Sequence, residues 1–374
     1  MQQIPVVVLA GFLGSGKTTL LNHLLRSARG TRVGVMVNDF GSIEIDAMTV
    51  AGQVGSTVSL GNGCLCCAVD ASELDTYLEV LTRPSSRLDV IVIEASGLAE
   101  PQELVRMILA SDNERVVYGG LVEVVDAAEF DATRERHPET DRHLAIADLV
   151  VVNKADRVGP DELRRVHTAV ADLAGRAAVI DAAYGRVDPE FLFDRAARTD
   201  GGGPRQLTFE DLDELHVVED AHPHAAYDTV SFTADEPMHP RRLLDLLDSR
   251  PEGLYRIKGF VDFGAADPAN RYTLHAVGRF LRFYPEPWQR GEQRLTQLVL
   301  IGAGTNGEAL REALHGCRVT GPQDVPEEHS MWGVLRYVPE PVPDPEPVPD
   351  SELLPDSGPV LDSGPAGAPA EAVP

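Results

Sequence analysis

The sequence predicts an α/β protein with a mostly parallel sheet, followed by a smaller C-terminal α+β domain and a disordered, acidic, Pro-rich tail. Three observations predict it. Val/Ile-rich runs alternate with helical patterns through the first half of the chain, a Gly201-Gly202-Gly203-Pro204 cluster ends that rhythm, and Pro occupies every second position from 339 to 349. The apolar runs lie at 5–9, 33–37, 90–93, 121–125, 149–152 and 177–180. Near-continuous apolar strands suit a sheet covered on both faces.

These patterns divide the chain into residues 1–200, a polar linker at 201–226, an α+β domain at 227–320 and a tail at 321–374. In the second domain, strand-like runs fall at 229–232, 272–277 and 298–301, with helices near 239–249 and 305–315. From Pro339 onward there are eight acidic residues and no Lys or Arg, a composition that cannot bury enough apolar surface to fold.

The net charge of −26 argues against a nucleic-acid partner, because a phosphate backbone is repelled. Nothing near the N-terminus has the layout of a secretory signal, and no run approaches the length needed to span a bilayer. Three of the four cysteines fall within four residues, a poor layout for disulfides and a good one for a metal or redox site. A cytoplasmic protein with no membrane partner is expected.

The 33 basic residues include only three lysines, at 17, 154 and 258. A compact ammonium differs from a planar guanidinium, so lysine persists where arginine cannot substitute. Two of the three lie in motifs that bind nucleotide. Gly11-Phe12-Leu13-Gly14-Ser15-Gly16-Lys17-Thr18 follows an apolar run and precedes a helical one, the context of a P-loop. Its backbone N–H groups cradle phosphate, Lys17 reaches the β- and γ-oxygens, Thr18 offers a hydroxyl to Mg²⁺, and Thr19 continues the phosphate-binding turn. Asn153-Lys154-Ala155-Asp156 then selects the base: the Asp156 carboxylate accepts from the N1–H and amino edge of guanine, for which adenine has no matching donor pair.

Between these motifs, Glu94 ends the apolar run 90–93 and is placed to hold Mg²⁺ or its water, while Gly97 is positioned to sense the γ-phosphate. Asn38-Asp39-Phe40-Gly41 occupies the first switch position, where Asp39, Glu44 and Asp46 are candidates to contact Mg²⁺ or orient water. Cys64, Cys66 and Cys67 stand on a Gly-rich loop, and three thiolates there suit Zn²⁺ or Cu(I), with Zn²⁺ favoured for a tetrahedral sulfur-rich site and one tetrahedral position open. Inert buried thiols and a redox switch compete with that reading. Cys317 is expected in a core. His216, His222 and His224 form at most a weak auxiliary site, and Arg256-Ile257-Lys258-Gly259 reads equally as a polar contact site or solvated surface.

The P-loop, Asn-Asp-Phe-Gly, Gly-Cys-Leu-Cys-Cys, Glu-Ala-Ser-Gly-Leu-Ala-Glu-Pro and Asn-Lys-Ala-Asp, in this order, resemble the CobW-type metallochaperone GTPases, relatives of the hydrogenase and urease nickel-insertion GTPases. The similarity spans about residues 4–318. It implies that Cys64, Cys66 and Cys67 bind metal, commonly Zn²⁺, and that the GTP cycle gates transfer to a client. The chain departs from the family's usual Asn-Glu-Phe-Gly-Glu at Asp39 and Ser42, lacks long linker histidine runs, and carries Asp181-Ala182-Ala183-Tyr184-Gly185 where many GTPases have a Ser-Ala element. The expected function is a GTP-hydrolysing metallochaperone using GTP, Mg²⁺ and Zn²⁺, with a metal-requiring client protein and possible homodimerisation. The alternatives are a metal-sensing regulatory GTPase and a P-loop kinase or ATPase with structural cysteines.

Overall fold

The computed structural model describes residues 3–28, 31–37, 57–59, 71–84, 86–97, 99–193, 227–321, 324–327 and 329–339. The chain begins with β1 (Ile4–Ala10), α1 (Lys17–Ser27), β2 (Val33–Val37), β3 (Thr57–Ser59), α2 (Ala71–Leu81), β4 (Val90–Glu94) and α3 (Pro101–Leu109). It continues through β5 (Val116–Asp126), α4 (Phe130–Arg136), α5 (Thr140–Ile146), β6 (Leu149–Asn153), α6 (Pro160–Ala174), β7 (Ala178–Asp181) and α7 (Pro189–Leu192). These strands form one parallel sheet in the order β3-β2-β4-β1-β5-β6-β7.

Alternating residues of each central strand serve different layers. Val7 and Leu9 pack with Leu20, Leu21 and Leu24 of α1, whereas Val6, Val8 and Ala10 pack with Leu74, Leu78, Leu104 and Ile108. Both faces are covered, which is why β1 reads as a continuous apolar run. Local chemistry sets the helix bounds. Pro101 and Pro160 open α3 and α6, where a missing N–H costs nothing, and Gly175 ends α6 with a positive φ.

A second, antiparallel sheet follows: β8 (Asp228–Ala234), α8 (Pro240–Ser249), β9 (Leu254–Val261), β10 (Asn270–Val277), β11 (Phe280–Pro287), β12 (Thr296–Gly302) and α9 (Gly307–Gly316), with α10 (Trp332–Leu335) beyond it. Strand order is β11-β10-β9-β12-β8. One face, including Phe232, Ile257, Leu274, Phe283 and Leu300, is buried against Leu243, Leu247, Leu310 and Leu314 of the helices.

Packing runs past residue 320, where the tail was expected to start. Met331 and Val334 are buried in the second core, because α10 lays an apolar face on it. The segment Arg256-Ile257-Lys258-Gly259 is also not solvated surface. It lies in the central strand β9 between β10 and β12, with Arg256 buried and its Nη1 donating to Leu192 O at 3.4 Å. Residues 340–374 lie outside the described residues.

The two sheets meet at the start of β5. Tyr255 and Val277 enter the core of the parallel sheet, and the Tyr255 ring stacks on Phe191 with centroids 5.2 Å apart. Gly120 has no room for a side chain: a Cβ there would lie 2.7 Å from Val277 Cγ1. His275 Nε2 sits 3.0 Å from Tyr118 O. Buried Asp148 accepts from Tyr118 Oη at 2.6 Å and Leu121 N at 2.9 Å, and burial raises its carboxyl above the ordinary range.

Candidate functional site

The described candidates of the nucleotide motifs leave the parallel sheet at its carboxyl end, because β1, β4, β5 and β6 run in the same direction. Leu9 is level with Glu94, Ala10 with Glu123, and Asp126 with Asn153. Ligands bind at such carboxyl ends. Gly11 to Gly16 form the turn from β1 into α1, with φ of 141°, 78° and 105° at Gly11, Gly14 and Gly16. Gly16 cannot be replaced cheaply, because its backbone is left-handed and a Cβ would lie 2.2 Å from Asn153 Nδ2.

Asn153 is the tie between loops. Buried at the end of β6, it donates through Nδ2 to Ser15 O at 2.9 Å and accepts through Oδ1 from Gly185 N at 2.9 Å. One amide therefore joins the phosphate turn, the guanine motif and the loop carrying Ala182 to Gly185. That loop is further pinned by Ala155 N donating to Ala182 O and Ala182 N donating to Val152 O. Lys154 adopts a positive φ of 60° and donates through Nζ to Gly14 O and Asp126 Oδ2, each at 2.6 Å. Asp156 is exposed within the tight turn Ala155–Arg157.

Lys17 is buried beneath the turn, and its Nζ donates to Gly11 O at 2.9 Å and Phe12 O at 3.4 Å. Thr18 Oγ1 donates to Glu94 Oε1 at 2.6 Å, which brings a hydroxyl and a carboxylate together across two elements. That all-oxygen pair fits a hard divalent cation such as Mg²⁺. The Ser15 hydroxyl, in the same turn, is buried with no hydrogen-bond partner among the described residues. Gly97 packs against the same turn, where a Cβ would lie 2.7 Å from Leu13 N. Thr19 is exposed.

Asp39, Glu44, Asp46, Ser42, Cys64, Cys66, Cys67, His216, His222 and His224 lie outside the described residues. Among the described residues there is no group of three His, Cys, Asp or Glu able to hold a metal. Cys317 is buried in the second core with its Sγ 3.3 Å from Ala313 O, and burial pushes its thiol up to about 11, as expected of a packing cysteine. No helix among the described residues is long and apolar enough to cross a membrane.

Sequence reasoning missed two carboxylates of β5. Asp126 holds Lys154, and Glu123 is buried beside the P-loop at the wall of a cavity of about 300 Å³, with Phe12, Phe130 and Arg136 among its other walls. The available signal was an acid inside the apolar run 121–125 and another just after it. Phe12 also packs against the His137 ring, tilted at 37° with centroids 4.2 Å apart.

Residues 5–181 match the family model for the nucleotide-binding domain of CobW/HypB/UreG proteins, and residues 227–318 match the model for the C-terminal domain of the cobalamin synthesis protein CobW. A relative in a Sinorhizobium species, the zinc chaperone CobW, is 30% identical over 344 residues, covering 83% of this chain and 96% of that one. The chain belongs to the CobW family. A Pseudomonas aeruginosa zinc chaperone CobW is 31% identical over 353 residues, covering 84% of this chain and 91% of its own. The zinc chaperone YjiA of Escherichia coli is 27% identical over 328 residues, covering 85% and 100%. This CobW-family chain is accordingly a P-loop GTPase that uses GTP and Mg²⁺, built from a parallel-sheet nucleotide domain and an antiparallel-sheet C-terminal domain. The guanine-nucleotide assignment sets aside the ATPase or kinase alternative.

Proposed function

We propose that the protein is a GTP-driven zinc chaperone, which holds Zn²⁺ at Cys64, Cys66 and Cys67 and passes it to a metal-requiring client during the nucleotide cycle. One observation carries this reading. The Cys-bearing segment follows β3, whose C-terminal end, Ser59, is level with Val37 of β2, and Val37 is level with Glu94. The end of β3 therefore lies at the carboxyl end of the sheet, the end at which the P-loop, Glu94 and Asn153 also stand. A metal carried on the segment that follows β3 would be coupled to hydrolysis through that end of the sheet, and soft sulfur ligands favour Zn²⁺ over the hard Mg²⁺ of the same domain. Relatives named as zinc chaperones support the choice of metal.

In this reading Lys17 exchanges the Gly11 and Phe12 carbonyls for β- and γ-phosphate oxygens, and Asp156 accepts from the guanine edge while Lys154 lies beside the base. Thr18 and Glu94 would hold Mg²⁺, which would supply positive charge to the phosphates. Gly97, packed on the P-loop, passes loss of the γ-phosphate to its own segment, and Asp39 contributes from the first switch. The open fourth position on Zn²⁺ is where a client ligand enters.

The test is metal content and transfer. Wild type should bind Zn²⁺ stoichiometrically, show metal-dependent GTP turnover and yield Zn²⁺ to an apo acceptor only when GTP is hydrolysed. Unchanged affinity and unchanged metal-dependent turnover in Cys66→Ser would refute the reading. Zn²⁺ retained through every turnover while a partner protein binds would instead establish a metal-sensing regulator.

A further inference from the structure

Glu123 is a buried carboxyl beside the P-loop that none of the nucleotide motifs uses. It lies in β5, level with Ala10, the residue immediately before the phosphate turn. Only 2% of its surface is exposed, and its Oε2 meets no hydrogen-bond partner among the described residues. An isolated carboxylate in such a place is unfavourable, and a neutral carboxyl is far less so. The nearby cavity of about 300 Å³ gives the group a route to solvent protons.

We propose that Glu123 is a proton-linked positioning residue for Lys17: ionised, it competes with nucleotide phosphate for the ammonium, and nucleotide binding to that ionised form therefore drives uptake of one solvent proton onto its carboxylate. No other bond is made or broken. The proposal rests on reading Lys17 as the phosphate-binding lysine.

Burial lifts the carboxyl to about 8, and the positive charge of Lys17 is the influence that holds it from rising further. Once that charge turns toward a polyphosphate, the restraint weakens and the added negative charge raises the group again. The other charged groups around the cavity are Asp126 on β5, Glu129 beside α4, Arg136 on α4, and Lys154 and Arg157 after β6. Lys154 is already paired with Asp126 at 2.6 Å and Arg136 with Glu129 at 3.8 Å, whereas Lys17 Nζ rests on carbonyls of the turn itself, at Gly11 and Phe12.

The test is calorimetric titration of the full chain with a non-hydrolysable GTP analogue and Mg²⁺, in buffers of different ionisation enthalpy. With the free group near 8, wild-type affinity should be flat below neutrality and fall about tenfold by about pH 9, with nearly one proton taken up per nucleotide there. Glu123→Gln should remove both the fall and the uptake, and Glu123→Asp should retain them. Difference infrared spectroscopy of wild type needs no variant: nucleotide added at about pH 9 should produce the carbonyl stretch of a protonated carboxyl, absent before addition. Tight binding with superimposable pH profiles in wild type and Glu123→Gln, or no new carbonyl stretch, overturns the proton linkage while leaving the nucleotide site intact. Failure of wild type to bind at any pH would instead overturn the reading of Lys17.

Discussion

Replacing Asn153 with Ala should weaken three loops at once, and the geometry gives the size of the effect. The substitution leaves Ser15 O and Gly185 N without the partners that now lie 2.9 Å away. Each orphaned buried backbone group costs about 1–3 kcal/mol, so the loss should be at least about 2 kcal/mol. Each 1.4 kcal/mol of it felt in the nucleotide-bound turn weakens GTP binding about tenfold. Gly16→Ala provides the cross-check. Its new Cβ collides with Asn153 Nδ2, and its backbone at φ 105° resists any side chain, a strain of about 1–3 kcal/mol. In an Asn153→Ala background the collision disappears and only the strain remains. The double variant should therefore be more stable than the sum of the singles by about 0.5–3 kcal/mol. Urea unfolding of the nucleotide-free chain and equilibrium GTP titration measure both quantities. Additive single effects, or an Asn153→Ala midpoint and GTP affinity equal to wild type, would refute the role of Asn153 as the tie.

Thr18→Val keeps the side-chain shape but removes the hydroxyl now 2.6 Å from Glu94, and should reduce Mg²⁺-dependent phosphate release by at least about 100-fold without unfolding the protein. Tyr118→Phe removes one donor from buried Asp148 and should cost about 1–3 kcal/mol in urea unfolding; no measurable loss would mean the interface does not depend on that bond. A chain ending at residue 320 loses Met331 and Val334 from the second core, worth about 1.5–3 kcal/mol each, whereas one ending at Pro339 retains them; thermal melts of the two truncations should separate clearly. His167 beside Asp181 is raised by that hydrogen bond, so its contribution is present below the ordinary imidazole pKa and is lost as pH rises through the raised folded value. Both side chains are more than a third exposed and screened, so wild type and His167→Ala should differ by under about 1 kcal/mol at acidic pH and converge at alkaline pH.

The parallel sheet was legible because its evidence is local. Strands buried on two faces are apolar at consecutive positions, and a phosphate turn needs its glycines within a few residues of one another. The second sheet was only partly legible: β9 and β11 carry Arg256, Lys258, Arg282 and Glu286 among apolar residues, which resembles surface until the neighbouring strands are known. Arg256 is buried because β10, β12 and the Leu192 carbonyl surround it, and none of these is adjacent in the chain. Glu123 escaped notice for the reverse reason. Its sequence neighbourhood is that of a plain core strand, and only the cavity beside the P-loop makes its carboxyl chemically informative.

Strand β5 spans 11 residues, roughly 35 Å of extended chain, and has a different neighbour at each end. Its first residues are clasped by Tyr255, His275 and Val277, and its last residue holds Lys154. Bonded along its length to β1 and β6, it cannot slide. The C-terminal sheet is thus fixed like a jig relative to Lys154, so a protein seated on that sheet would keep its bearing on the carboxyl end of the parallel sheet. The surface of the jig can also be re-cut by substitution to suit another visitor, without touching Asn153 or Lys154.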